Sequence, residues 1–133
     1  MALLDLIDSL NAFAGAIDTF VDAQPDPYSA TCQRLRRTEQ SVIDYANDIA
    51  AAAARQISDE INSAVARLQV NIDSAKQTLA RIKDATVAIG VGAAVLAAAA
   101  AVASGGVLTT ASGAALLALA QQVAAAVNAA SAG

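Results

Sequence analysis

The sequence has no histidine and no tryptophan, one cysteine, one methionine, two tyrosines and two phenylalanines. Without histidine, the commonest general base and the usual nitrogen ligand for a transition metal are missing. With Cys32 as the only cysteine, neither an intrachain disulfide nor a thiolate metal site can be assembled. Few aromatics means no platform for stacking bases, and eight basic residues against twelve acidic ones, a net charge of -4, give no basic footprint for phosphate. Nucleic acid is therefore excluded as a partner, and no cofactor, metal or small-molecule substrate is expected. Asp5 and Asp8 stand where a secretory signal carries Lys or Arg ahead of its apolar core, so no cleavable signal is expected. What the sequence has in abundance is alanine. A core built on Ala buries little area per residue, so helices must approach closely or find partners, and a homo-oligomer is the expectation.

The periodicities predict an all-α chain. Over residues 1–22, Leu3, Ile7, Leu10, Ala14, Ile17 and Val21 recur at spacings of three and four and define one face of an amphipathic helix. Leu4, Leu6, Phe13 and Phe20 widen that stripe. Gly15 costs such a helix stability unless a neighbour comes close there. Pro25 and Pro27 end the helix and make 23–28 a turn, with Asp26 placed to cap the next helix and Pro27 to begin it.

Residues 29–84 contain no further breaker. Ile57, Ile61, Val65, Leu68, Ile72, Ala75, Leu79 and Ile82 lie on a seam of spacings three and four, joined to an earlier run by one extra step of four between Ile57 and Ile61. The expectation is one long coiled-coil-like helix, roughly 80 Å in length at 1.5 Å per residue, whose seam serves oligomerisation. Ile89, Ala93, Leu96, Ala100 and Ala103 continue the same register, which predicts that the long helix runs on into the next segment.

Residues 85–133 contain no charge at all, where about a quarter of an average domain is charged. Ser104, Gly105 and Gly106 are the strongest turn signal there, so the segment reads as an apolar helical hairpin carrying Ile89, Gly92, Val95 and Leu96 on one arm and Leu116 and Leu117 on the other. The first arm has the roughly 20 residues that a membrane span needs. Its few strongly apolar residues supply only on the order of 3 kcal/mol towards insertion. The second arm is spotted with Gln121, Gln122 and Asn128 and crosses only beside the first or facing a polar lumen. Small residues such as Gly92, Ala93, Ala97 and Ala100 favour close helix packing in lipid or in protein. Arg81 and Lys83 precede the first arm, which by the positive-inside tendency keeps both ends of an inserted hairpin on the cytoplasmic side.

No constellation of acid, base and nucleophile can be assembled. Asp59 and Glu60 are adjacent and point to different parts of a helix surface, and Asp44 with Asp48 makes only two carboxylates. Both pairs read as solvated surface, and the chain is not expected to be an enzyme. Arg34, Arg36 and Arg37 form the one basic cluster, early in a helix where the dipole disfavours cations. Partial pairing with Glu39, an acidic first helix of a neighbour, or anionic lipid headgroups would each suit it.

An amphipathic long helix leading into an uncharged Ala/Gly-rich hairpin, with arms at Ala85 to Ala103 and Val107 to Val127 around Ser104-Gly105-Gly106, resembles the α-helical pore-forming toxins of the cytolysin A and tripartite haemolysin kind. The resemblance implies a soluble form that hides the hairpin and an oligomer that inserts it. This chain departs from that pattern in ending soon after the second arm, without a returning long helix. The expected function is that of a non-enzymatic, self-assembling helical subunit that meets a membrane through its hairpin. The alternative is a purely structural subunit of a filament, shell or virion built by helix packing, with no membrane entered.

Overall fold

The computed structural model describes residues 2–52, 58–104 and 114–132. They form five α-helices: α1 (Ala2–Asp22), α2 (Ala30–Ala52), α3 (Asp59–Leu79), α4 (Ala85–Ala103) and α5 (Ala114–Ala132). The fold is all-α, with no strand among the described residues.

The helices close into a ring. α1 packs on α2 and α3, α2 carries α4, α3 carries α5, and α4 and α5 meet, with α3 and α4 touching across the middle. Leu3, Leu6, Leu10, Phe13, Ile17 and Val21 of α1 are fully buried, so the stripe read from the sequence is the face that α2 and α3 cover. Leu4 lies on its edge and stays half in solvent.

The single helix expected over 29–84 is instead two helices of opposite direction. α2 returns antiparallel to α1 after a short turn. α3 runs parallel to α1, since Gln69 reaches Ser9 and Leu79 lies with Phe20 in one groove. Ser58 makes the start of α3: its backbone is extended (φ -65°, ψ 160°), and its hydroxyl accepts from the Ile61 amide at 3.2 Å. Asp59 and Glu60 in the first turn complement the helix dipole. No Pro or Gly is needed for this break, because a cap satisfies the orphan amides while folding back lets two apolar faces share α1.

A second break separates α3 from α4. The amides of Arg81 and Ile82 both bond back to the Thr78 carbonyl, ending α3, and the Asp84 carboxylate then accepts from the Thr86 amide at 2.9 Å to open α4. The expected continuity of seam and hairpin is thus absent. Had the helix run straight on, the uncharged faces of α4 would have projected into water without a partner.

The first turn also differs in detail. Asp26 accepts from the amide of Tyr28, two residues on, so its carboxylate is engaged before the helix begins. Ser29 is the cap instead, accepting from Cys32 N–H at 3.2 Å, and α2 starts at Ala30 rather than Pro27. Cys32 is 1% exposed and packs as a small apolar side chain.

Candidate functional site

The uncharged segment forms two of the five helices. Both α4 (Ala85–Ala103) and the stretch Ala114–Ser131 of α5 are long and apolar enough to cross a membrane by length and composition. They lie antiparallel, since Val87 near the start of α4 shares a cleft with Ala130 and Ser131 at the end of α5. Gly105 and Gly106, on which the turn was expected, lie outside the described residues, as does Ile57 of the seam.

The two arms are held differently. The inward face of α4 comprises Ala88, Val91, Gly92, Val95, Ala98, Ala99 and Val102. That face is rotated by one residue from the register that Ile89, Ala93 and Leu96 predict: Ile89 and Leu96 are half-buried against the core and Ala93 is exposed. The rotation is open to α4 because it is a separate helix, and the face it turns inward carries Val91, Val95 and Val102 beside the small Gly92. A Cβ added at Gly92 would stand 3.2 Å from Thr38 Cγ2 on α2, so glycine here permits the close approach that small residues promised. Ala97, on the same list of small residues, faces solvent.

On α5, Leu116, Ala120 and Val123 face inward and Leu117 outward. Only 17% of its apolar window is buried, against 39% for α4. α5 is therefore the loosely covered arm. The Asn71 side-chain amide donates to the Ala120 carbonyl at 2.9 Å, the only side-chain hydrogen bond to α5 among the described residues. Among the described residues no ion pair ties either arm to the rest of the chain.

The seam residues do not face outward as an oligomerisation surface. Ile61, Val65, Leu68, Ile72 and Leu79 are at most 1% exposed, enclosed by the chain's own helices, and Ile82 is half-buried. A heptad pattern records only that one face is apolar; whether another subunit or another helix of the same chain covers it depends on where the chain turns back. Ser58 and the extra step from Ile57 to Ile61 were the signals of that turn.

The basic cluster divides. Arg36 pairs with Asp18 and, at 2.8 Å, Asp22 on α1, and with Glu39 one turn along α2. The acidic helix that takes it is the chain's own. Arg34 and Arg37 are exposed and form no ion pair among the described residues. The hydrogen bond that Arg36 donates to Asp18 leads the effects that raise the Arg36 pKa, outweighing desolvation, so it stays charged. Burial, reinforced by the negative charge of Asp18, holds Glu39 above its ordinary 4.5 despite the attraction of Arg36.

A raised carboxyl pKa means that the folded chain keeps this proton to higher pH than the unfolded chain does. Glu39 therefore favours folding at acid pH, and that contribution is lost as pH rises from 4.5 through its folded-state value. Glu39→Gln should leave the melting temperature at pH 7 equal to or slightly above that of the parent and flatten its pH dependence in that window. Thermal melts across a pH series provide the measurement, and a clear drop at pH 7 would contradict it.

Asp59 and Glu60 are exposed at the start of α3, and Asp44 receives a hydrogen bond from Gln40. Comparisons with protein families, with characterised proteins and with solved structures found no match.

Proposed function

We propose that this chain is a non-enzymatic helical protein that associates with a membrane by releasing its α4–α5 hairpin into lipid. The observation that carries this reading is the weak cover of an entirely uncharged pair of helices, above all the 17% burial of the apolar window of α5. A core helix of a soluble domain gains its stability from burial. α5 places an apolar, Ala-rich exterior with Leu117 in water instead, and lipid would cover that exterior. The polar Gln121, Gln122 and Asn128 on the same exterior keep the bundle soluble before contact and favour entry of both arms together. The soluble bundle then corresponds to the hidden-hairpin form that the toxin resemblance implies, with self-assembly following insertion.

Leu117→Arg tests this reading better than a change at Leu96, because Leu96 is packed on the core whereas Leu117 is 36% exposed. A charge costs insertion about 2.5 to 3.5 kcal/mol at a helix centre and less towards an end; Leu117 lies in the first turn of α5, so a loss of about tenfold in partition is expected. The variant should keep its circular dichroism and melting temperature while losing flotation with liposomes and release of trapped dye. Wild-type protein that ignores liposomes and sediments as regular assemblies in detergent-free buffer would instead favour the structural-subunit reading. In that case Ala118, Ala125 and Ala129, all exposed, would be covered by another copy.

A further inference from the structure

A second feature lies away from the hairpin. Between the second half of α1 and the end of α3 runs an open groove of about 750 Å³ that includes no residue of α4 or α5. That volume is within the range of small-molecule sites. Ala16, Phe20 and Leu79 form apolar walls, Gly15 lies in the α1 wall, and Lys76 and Lys83 are the only charged residues lining it.

Gly15 gives the groove its meaning. A glycine inside a helix is destabilising, and such a residue is usually explained by a neighbour packed against it. Apart from its two chain neighbours and the backbone of its own helix, no atom of the described residues comes within 4 Å of where its Cβ would be. Gly15 is exposed, so the missing side chain leaves that stretch of the groove wall open rather than making room for another helix of the bundle.

We propose that this groove binds a single-chain fatty carboxylate, with its alkyl chain along Gly15, Ala16, Phe20 and Leu79 and its carboxylate met by Lys76 and Lys83. The α1 wall, from Ala12 to Ala23, runs for about 16 Å of helix, which suits an extended alkyl chain rather than a compact ring. Two ammonium groups with no carboxylate among the lining residues select an anionic head. The lysine stems can lie along the apolar wall while their heads stay in water, which places the charge at the mouth. This site requires no membrane, and it stands whether or not the hairpin enters one.

The test uses the full chain in lipid-free buffer with 11-(dansylamino)undecanoic acid as a fluorescent probe. Saturable binding of one probe per chain is expected, with dodecanoate displacing it about tenfold better than dodecanol, a difference of one decade in affinity. Lys76→Gln with Lys83→Gln should erase that preference. Gly15→Leu should fill that open stretch of the α1 wall and weaken binding by about tenfold or more without lowering the melting temperature, since leucine is the better helix former. Absence of saturable binding, or unchanged affinity in Gly15→Leu, overturns the proposal. So does a dimer that Gly15→Leu dissociates while probe binding persists, because the groove would then seat a second copy.

Discussion

Chains carrying Thr38→Cys and Gly92→Cys on a Cys32→Ala background should, once oxidised, release no more liposome dye than a protein-free control, and reduction should restore release. The two positions face each other between α2 and α4: a Cβ at Gly92 stands 3.2 Å from Thr38 Cγ2. Thr38 Cβ is bonded to that Cγ2, so the two Cβ atoms lie within about 5 Å of each other, a range that includes the separation a disulfide spans. Cys32 is buried and removed only to leave a single possible bridge. The inward face of α4 is held against the rest of the bundle, so it reaches lipid only by parting from α2. A disulfide forbids that movement covalently while stabilising the closed bundle by about 4 kcal/mol for a loop of this size. Full dye release by the oxidised protein would remove hairpin opening from the mechanism, whatever α5 does.

Phe13→Ala should have the largest effect on stability of any single truncation on α1. Phe13 is fully buried and heads the chain's large enclosed side chains, on the helix that both α2 and α3 cover. Truncating a buried Phe costs about 3 to 5 kcal/mol, a large share of the 5 to 15 kcal/mol that ordinarily holds a domain together. Urea denaturation followed by circular dichroism should show a sharply lowered midpoint with little change in slope. Leu4→Ala, at a position 51% exposed on the same helix, should change stability by only about 0.5 kcal/mol or less. Equal effects at the two positions would show that α1 is not packed as described.

Amphipathic faces were legible because helical geometry maps a spacing of three and four onto one side of a cylinder without reference to anything else. Leu3, Leu10, Ile17 and Val21 on α1, and Ile61, Val65, Leu68 and Ile72 on α3, are buried as that spacing requires. The breaks were harder to see. Ser58 and Asp84 cap helices by local hydrogen bonds, yet either residue is also acceptable on the solvent side of a continuing helix. The extra step of four between Ile57 and Ile61 immediately precedes α3, and in hindsight an interrupted register next to Ser58-Asp59-Glu60 was the readable sign. No comparable sign fixed the rotation of α4, because nearly every face of an Ala-rich helix is apolar and the hydrophobic pattern selects none of them strongly.

The pairing of Arg36 was half visible. Its cluster and the carboxylates of Asp18 and Asp22 stand on either side of the Pro25–Pro27 turn, and an antiparallel return brings them together within one chain. The groove at Gly15 was visible only as a cost. A glycine amid good helix formers invited a partner, and the tertiary structure shows the place open, with Lys76 and Lys83 brought there from residues far along the chain.

The sequence by itself determined that the chain is helical, that α1 and α3 each have one apolar face, and that the final segment bears no charge, because these depend on composition and on the fixed periodicity of the helix. Only the tertiary structure decided that the seam is covered from within, that α4 turns Gly92 to Thr38, and that α5 remains thinly covered. Those outcomes depend on where the backbone reverses, and reversal is governed by the burial gained across the whole bundle rather than by any local run of residues.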